Sequence, residues 1–178
     1  MGRRIVLLRG INLGPNRRVP MAELRKLFAQ AGFDDVRTYV QSGNIVLSSD
    51  AEPAALEQQS ERLIADRFGF EVDVIARTRD ELAAVVERNP LRDIADNPKR
   101  YQVSFLASEL DDAVVEKLAS TAAPTERVLA LGRELYAWHP EGVARSKLWG
   151  RLAGAGLGVK ATARNWTTVS TLLEMADE

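Results

Sequence analysis

The sequence predicts an α+β fold, two ferredoxin-like βαββαβ units related by internal duplication. Three observations carry that reading. Short β-rich runs alternate with stretches of helical period, the first half orders them β-α-β-β-α-β, and the second half repeats the order after a turn-rich connector. The expected units are residues 1–89 and 100–178, joined by residues 90–99 into one compact body, and a 178-residue chain has room for such a core.

The elements follow in order. "RRIVLLRG" is an apolar run closed by Gly10, the pattern of a buried strand. Pro20 suits a first helical position, Met21, Leu24, Leu27, Phe28 and Ala31 recur at helical spacing, and Gly32 stops the helix. "VRTYV" and "IVLSS" are β-rich and joined by Gln41-Ser42-Gly43-Asn44, where Gly and Asn accept positive φ cheaply. A helix is expected from Pro53 to Phe68, a strand in "EVDVIA", and a helix in "TRDELAAVVER" with Thr78 or Asp80 near its cap. After "NPLRDIADNPKR" the series repeats: strand "YQVSFLA", helix "DDAVVEKLAS", a hairpin of "RVLAL" and "ELYAW" across Gly132-Arg133, helix "ARSKLWGRLAG", strand "GVKAT", and a last helix from Trp166 to Met175. Val159–Thr162 is the most weakly patterned strand of the set.

Composition removes several classes of chemistry. With 46% hydrophobic and 28% charged residues the chain reads as an ordinary globular protein. Its longest apolar run, Leu82 to Val86, is far below the roughly 20 residues of a membrane-crossing helix. The apolar segment after Arg3 and Arg4 is cut at Arg9, which argues against a signal peptide, so a cytoplasmic location is expected. The absence of cysteine excludes disulfides, thiolate nucleophiles and thiolate zinc sites, and one histidine, His139, excludes multi-histidine metal sites within the chain. No motif implies a cofactor, and oligomeric state is not legible.

Charge is segregated. Residues 1–22 hold five arginines and no acid, residues 142–173 hold five basic residues and no acid, residues 23–141 carry −8 and the tail −3, so the total is −1. If the acid-free stretches meet, they form a positive surface for phosphates, carboxylates or nucleic acid. Arginines spread over separate faces would give the same counts.

Three polar constellations stand out. In the split βαβ topology the loop after Gly10 and the turn 41–44 leave one end of the sheet together, which gathers Arg9, Asn12, Arg17, Gln41, Ser42 and Asn44 near the first N–H groups of a helix. The loop lacks both the phosphate-loop and the dinucleotide glycine patterns, and its Asn and Gly residues also fit a plain turn. "ATARNW" sets Arg164 and Trp166 beside Asn165, a combination suited to stacking plus anion pairing, with Asn165 equally suited to capping the last helix. "ARSKLWGRLAG" places Lys147 and Arg151 four apart on one helix face. None of the three contains Asp, Glu or His, so acid–base catalysis has no partner there. His139, before Pro140, reads as exposed or capping, and Ser146-Lys147 is a weak nucleophile–base signal without a third group.

"RGINLGPNRRVPMAELRKLF", "YVQSGNIVL" and "ARNWTTVSTLLEM" together resemble the bacterial family called domain of unknown function 1697, over nearly the whole chain. The resemblance implies a two-part α+β fold and no assigned activity. Leu13-Gly14-Pro15-Asn16 stands where that family often has a glycine pair and a lysine, and Asn165-Trp166-Thr167-Thr168 where it often has a second asparagine. Four functional classes remain open: a binder of an anionic small molecule or nucleotide-like ligand, a nucleic-acid-binding module, an enzyme on a phosphorylated or carboxylated metabolite with Lys147 or Tyr39 carrying the proton, and a structural or self-associating protein. The first fits the basic and amide loops best.

Overall fold

A computed structural model describes residues 1–154 and 156–178. Packing divides the chain into two compact units, Met1–Ala84 with Thr171–Glu178, and Val85–Ser170.

The first unit runs β1 (Gly2–Leu8), α1 (Met21–Gln30), β2 (Asp34–Tyr39), β3 (Asn44–Ser49), α2 (Pro53–Phe68) and β4 (Val74–Thr78). Its sheet has the order β2-β3-β1-β4 with every neighbour antiparallel. Val6, Leu8, Ile45, Leu47, Val74 and Ala76 pack with Met21, Leu24, Phe28, Leu56 and Ile64 of the helices. The alternate positions Ile5, Leu7, Val46 and Ile75 are also buried, so both sheet faces are apolar and the strands read as continuous hydrophobic runs. Pro20 is the N-cap of α1 rather than its first residue, and α2 has the expected limits, with Gly69 in the left-handed region just beyond it. The last strand begins later than "EVDVIA" implies, because its pairing with β1 starts at Leu8 opposite Val74.

The second unit repeats the plan: β5 (Tyr101–Leu106), α4 (Asp112–Thr121), β6 (Arg127–Leu131), β7 (Glu134–Trp138), α5 (Lys147–Ala153) and β8 (Ala161–Asn165), in the sheet order β6-β7-β5-β8. Helices α3 (Arg79–Arg88) and α6 (Trp166–Asp177) follow the two edge strands and straddle the division between units. Thr78 and Glu81 form a reciprocal capping box for α3, with Glu81 N–H on Thr78 Oγ1 at 3.1 Å and Thr78 N–H on Glu81 Oε2 at 2.8 Å. Asn165 Oδ1 accepts from Thr168 N–H at 2.9 Å, the capping role open to it in the sequence.

The duplication reaches single residues. Ala76-Arg77-Thr78 closes β4 and Ala163-Arg164-Asn165 closes β8, with Arg77 opposite Ile5 and Arg164 opposite Val103. Both arginines are buried. The last strand therefore covers 161–165 rather than "GVKAT", which places Arg164 and Asn165 inside a strand instead of in a loop before α6. Pairing with β5 decides this, since Leu106 meets Ala161 and Gln102 meets Asn165. In the same sheet Tyr101, Phe105, Tyr136 and Trp138 share the face opposite α4 and α5. This aromatic face is covered, and none of its four rings is more than 6% exposed.

Candidate functional site

The loop after β1 and the turn before β3 meet as the topology requires. Leu8 N–H binds Gly43 O at 2.9 Å, and Asn12 Nδ2 donates to Gln41 O at 2.7 Å. Asn12 also donates to Val19 O and accepts from Val19 N–H, both at 2.9 Å, and its φ of 55° lies in the left-handed region that asparagine tolerates. Arg17 donates to Gly10 O at 3.0 Å and Glu71 O at 2.7 Å, and its guanidinium lies 4.9 Å from the Phe70 ring centroid. Asn44 is buried and donates to Tyr39 O at 3.0 Å and Ser42 Oγ at 2.9 Å. Gln41 and Ser42 are exposed, and Arg9 is half-buried with its N–H on Asp73 O at 3.0 Å. Asn12, Arg17 and Asn44 thus direct their donors at backbone carbonyls and a neighbouring hydroxyl within the unit. The positive φ values of the turn belong to Val40 and Gly43, not to Gly43 and Asn44, because Asn44 already pairs with Leu7 in the ladder.

Lys147 lies elsewhere. It lines an open cleft of about 870 Å³ in the second unit, with Ser120, Thr121, Thr125, Glu141 and Arg145. Arg151, four residues on, lines a separate groove, so the two basic residues of α5 do not share a site. Among the described residues neither Arg145 nor Lys147 has a salt-bridge partner, whereas Arg3, Arg37, Arg67 and Arg79 are paired with Asp35, Glu178, Glu23 and Asp177.

One wall of the cleft is a polar cluster. Glu126 Oε2 accepts from His139 Nδ1 at 2.5 Å and from the Ser146 hydroxyl at 2.6 Å, while Glu126 Oε1 accepts from Ala123 N–H at 2.9 Å. Burial raises the Glu126 carboxyl, but the hydrogen bonds from Ser146, Ala123 and His139 outweigh it and leave the group below its usual value. A carboxylate only accepts, so Nδ1 carries the histidine proton; Nε2 is the buried ring nitrogen without a hydrogen-bond partner among the described residues. Ser146 Oγ accepts from Trp149 N–H at 3.0 Å and caps α5, and the Trp149 ring stands edge-on to His139 at 5.9 Å. His139 is fully buried, not exposed as its place at a strand end implied. The missed signal was hairpin register. Pairing about Gly132-Arg133 sets Arg127 opposite Trp138, and one step further brings Glu126 to His139.

These three residues do not form a hydrolytic triad. That chemistry needs the serine on Nε2 and the acid on Nδ1, whereas Ser146 Oγ lies 3.3 Å from Nδ1, the nitrogen already bound to Glu126. Nor is Glu126 a strong base for Ser146, since its proton affinity is lowered. The Ser146 proton points to Glu126, not Lys147. The cluster fastens the β6–β7 hairpin to the start of α5 and holds one side of the cleft in place.

In the remaining constellation Arg164 is buried; Nη1 donates to Thr162 Oγ1 at 2.6 Å and Ala163 O at 2.9 Å, and burial lowers its pKa to about 10, so it stays charged at neutral pH. Trp166 is half-buried and stacks on Tyr101, with centroids 4.8 Å apart. Burial pushes the Tyr101 phenol up to about 12. Among the described residues no three His, Asp or Glu side chains gather as a metal ion would require, and no helix is long and apolar enough to cross a membrane.

A family model described as "Protein of unknown function (DUF1697)" matches residues 1–136. The chain belongs to DUF1697. The matched stretch holds the 9–18 loop, the 41–44 turn and Glu126, and ends before His139, Ser146, Lys147 and Arg164–Trp166. This DUF1697 chain is also similar to the solved structure of a conserved bacterial protein, SP0830, from Streptococcus pneumoniae, with 26% identity over 98% of each chain and a TM-score of 0.78. No curated protein matches it.

Proposed function

We propose that this DUF1697 protein binds a small anionic molecule, nucleotide-like in size, in the cleft beside α5. The observation that carries the reading is the pair Arg145 and Lys147, two cations without salt-bridge partners among the described residues, lining a cleft of about 870 Å³. That volume lies within the usual range for small-molecule sites. The Thr125 hydroxyl supplies an orienting donor, whereas those of Ser120 and Thr121 already donate to Lys117 O at 2.6 Å and Leu118 O at 2.7 Å. Glu126 and Glu141 line the same cleft, so the favoured ligand carries one or two negative charges rather than a triphosphate's load. Asn12, Arg17 and Asn44 serve the proposal indirectly, as braces of the first unit. Nucleic acid is a less favoured partner, because the aromatic sheet face that would stack bases is buried. A cysteine-free chain suits a reducing cytoplasm, which the proposal takes as its setting.

The test is a thermal-shift panel of phosphate, mono- and dicarboxylates and nucleoside monophosphates. It is run on the full chain and on the Arg145→Ala/Lys147→Ala variant. A ligand present at a hundred times its Kd stabilises by about 2.7 kcal/mol, a Tm rise of roughly 5–10 °C for a chain of this size. At least one anion is expected to give such a rise in the wild type and to lose most of it in the variant. No response to any anion, or equal responses in both proteins, sinks the proposal.

A further inference from the structure

We infer that the groove between α4 and α5 is a second ligand site, one that takes a monocarboxylate carrying a short apolar chain. Its wall combines two kinds of surface. Ala113, Val114 and Leu118 of α4 and Leu157 beyond α5 are apolar, and Lys117 and Arg151 stand among them. Helical geometry sets this up: Val114 and Leu118 are one turn apart, as are Ala113 and Lys117, so α4 presents an apolar strip edged by a cation. Helix α5 contains no acidic residue and contributes the second cation.

Lys117 and Arg151 have no ion pair among the described residues, and the groove wall contains no carboxylate. Two like charges beside one apolar groove repel each other, and a single anionic head placed there relieves the repulsion. Arg151 offers a planar fork to a carboxylate and Lys117 a compact point charge. Leu118 and Leu157 are already buried and form the floor, and the apolar part of such a ligand removes water from exposed Ala113 and half-buried Val114, which an inorganic anion cannot do. Size narrows the class further. The groove holds about 280 Å³, the room of roughly nine waters, which suits a carboxylate with a chain of about seven carbons and is too small for a helix of a protein partner. This site is separate from the cleft beside Lys147 and does not depend on that reading.

The experiment titrates octanoate into the full chain, followed by calorimetry and by backbone amide shifts. Octanol supplies the tail without the charge, and acetate the head without the tail. Octanoate is expected to bind saturably at one site, with shifts centred on residues 113–118 and 148–157, and octanol and acetate to bind at least tenfold more weakly. The variant Lys117→Ala/Arg151→Ala, which changes exposed side chains, is expected to keep its circular dichroism and lose tenfold or more in octanoate affinity; Arg145→Ala/Lys147→Ala is expected to retain it. Octanol binding as well as octanoate would reduce the groove to an apolar patch, and acetate binding as well would reduce it to an ion site; either overturns the inference. So does unchanged affinity in the Lys117/Arg151 variant, the absence of saturable binding, or shifts that track self-association by light scattering.

Discussion

Gly43→Ala is expected to destabilise the first unit by about 2–5 kcal/mol, against about 1–2 kcal/mol for Gly10→Ala. Both glycines have positive φ, +86° at Gly43 and +69° at Gly10, so an added side chain meets the left-handed penalty at either place, about 1–2 kcal/mol. Their surroundings differ. A Cβ at Gly10 has no neighbour within 4 Å, while one at Gly43 falls 2.7 Å from Leu8 Cβ and 3.0 Å from Ile11 Cδ1. Leu8 Cβ cannot swing aside, because it is fixed to a central strand whose N–H binds Gly43 O at 2.9 Å. Relieving the clash requires moving β1 against β3, and overpacking of this kind costs a further 1–3 kcal/mol or so. All three tryptophans lie in the second unit, so urea unfolding is followed by far-UV circular dichroism, not by fluorescence. With a slope of roughly 2 kcal/mol per molar urea, the Gly43→Ala midpoint falls by about 1–2.5 M, roughly twice the Gly10→Ala shift. Coinciding midpoints for the two variants would refute the steric reasoning and leave only the φ penalty.

Three further outcomes follow from the same geometry. Asn12→Ala removes three hydrogen bonds to backbone groups and leaves a β-carbon at φ 55°, so a loss of about 2–4 kcal/mol is expected, smaller in Asn12→Gly; a wild-type urea midpoint for Asn12→Ala would count against its bracing role. Glu126→Gln is expected to cost about 1–3 kcal/mol at pH 7. Because the folded carboxyl titrates below its usual value of 4.5, that contribution is complete above the usual value and lost as pH falls through the folded one. The gap between wild type and Glu126→Gln, measured by urea unfolding from pH 7 to pH 3, should therefore narrow at the acid end, and a constant gap would remove the ionised hydrogen bonds as its source. Ser146→Ala deletes the N-cap of α5 and is expected to cost about 0.5–2 kcal/mol, read by fluorescence in the unit that holds Trp149; stability equal to wild type would show that the hydroxyl holds nothing.

Much of the framework was legible from local pattern. The β-rich runs and helical periods placed the fourteen elements of the described residues in the right order, and Pro53 and Gly69 bracket α2 because each acts through its own backbone. The capping roles of Thr78 and Asn165 were readable for the same reason, since a cap bonds within three residues. The valine and threonine of "GVKAT" are more strand-like than "ARN", and only pairing with β5 selects 161–165.

Side-chain roles were less legible, because composition records that a group is present and not where its hydrogen-bond donors point. Arg17 and Arg145 are alike as letters in acid-free stretches, yet the first reaches Gly10 O and Glu71 O and the second lines a cleft. Lys147 and Arg151 share a helical spacing, but the groove between α4 and α5 separates their surroundings. His139 reads as a strand-end residue until the β6–β7 register brings Glu126 to its Nδ1 at 2.5 Å. The sequence by itself determined the order of elements, the duplication and the caps at Thr78 and Asn165, which follow from local pattern and contacts among near neighbours. Which cations are consumed inside the fold and which line the cleft and the groove was decided only by tertiary structure, because burial and surroundings are set by distant segments: Arg17 reaches Glu71 O, Arg164 is buried on a strand paired with β5, and Lys147 faces Ser120 to Thr125 across the cleft.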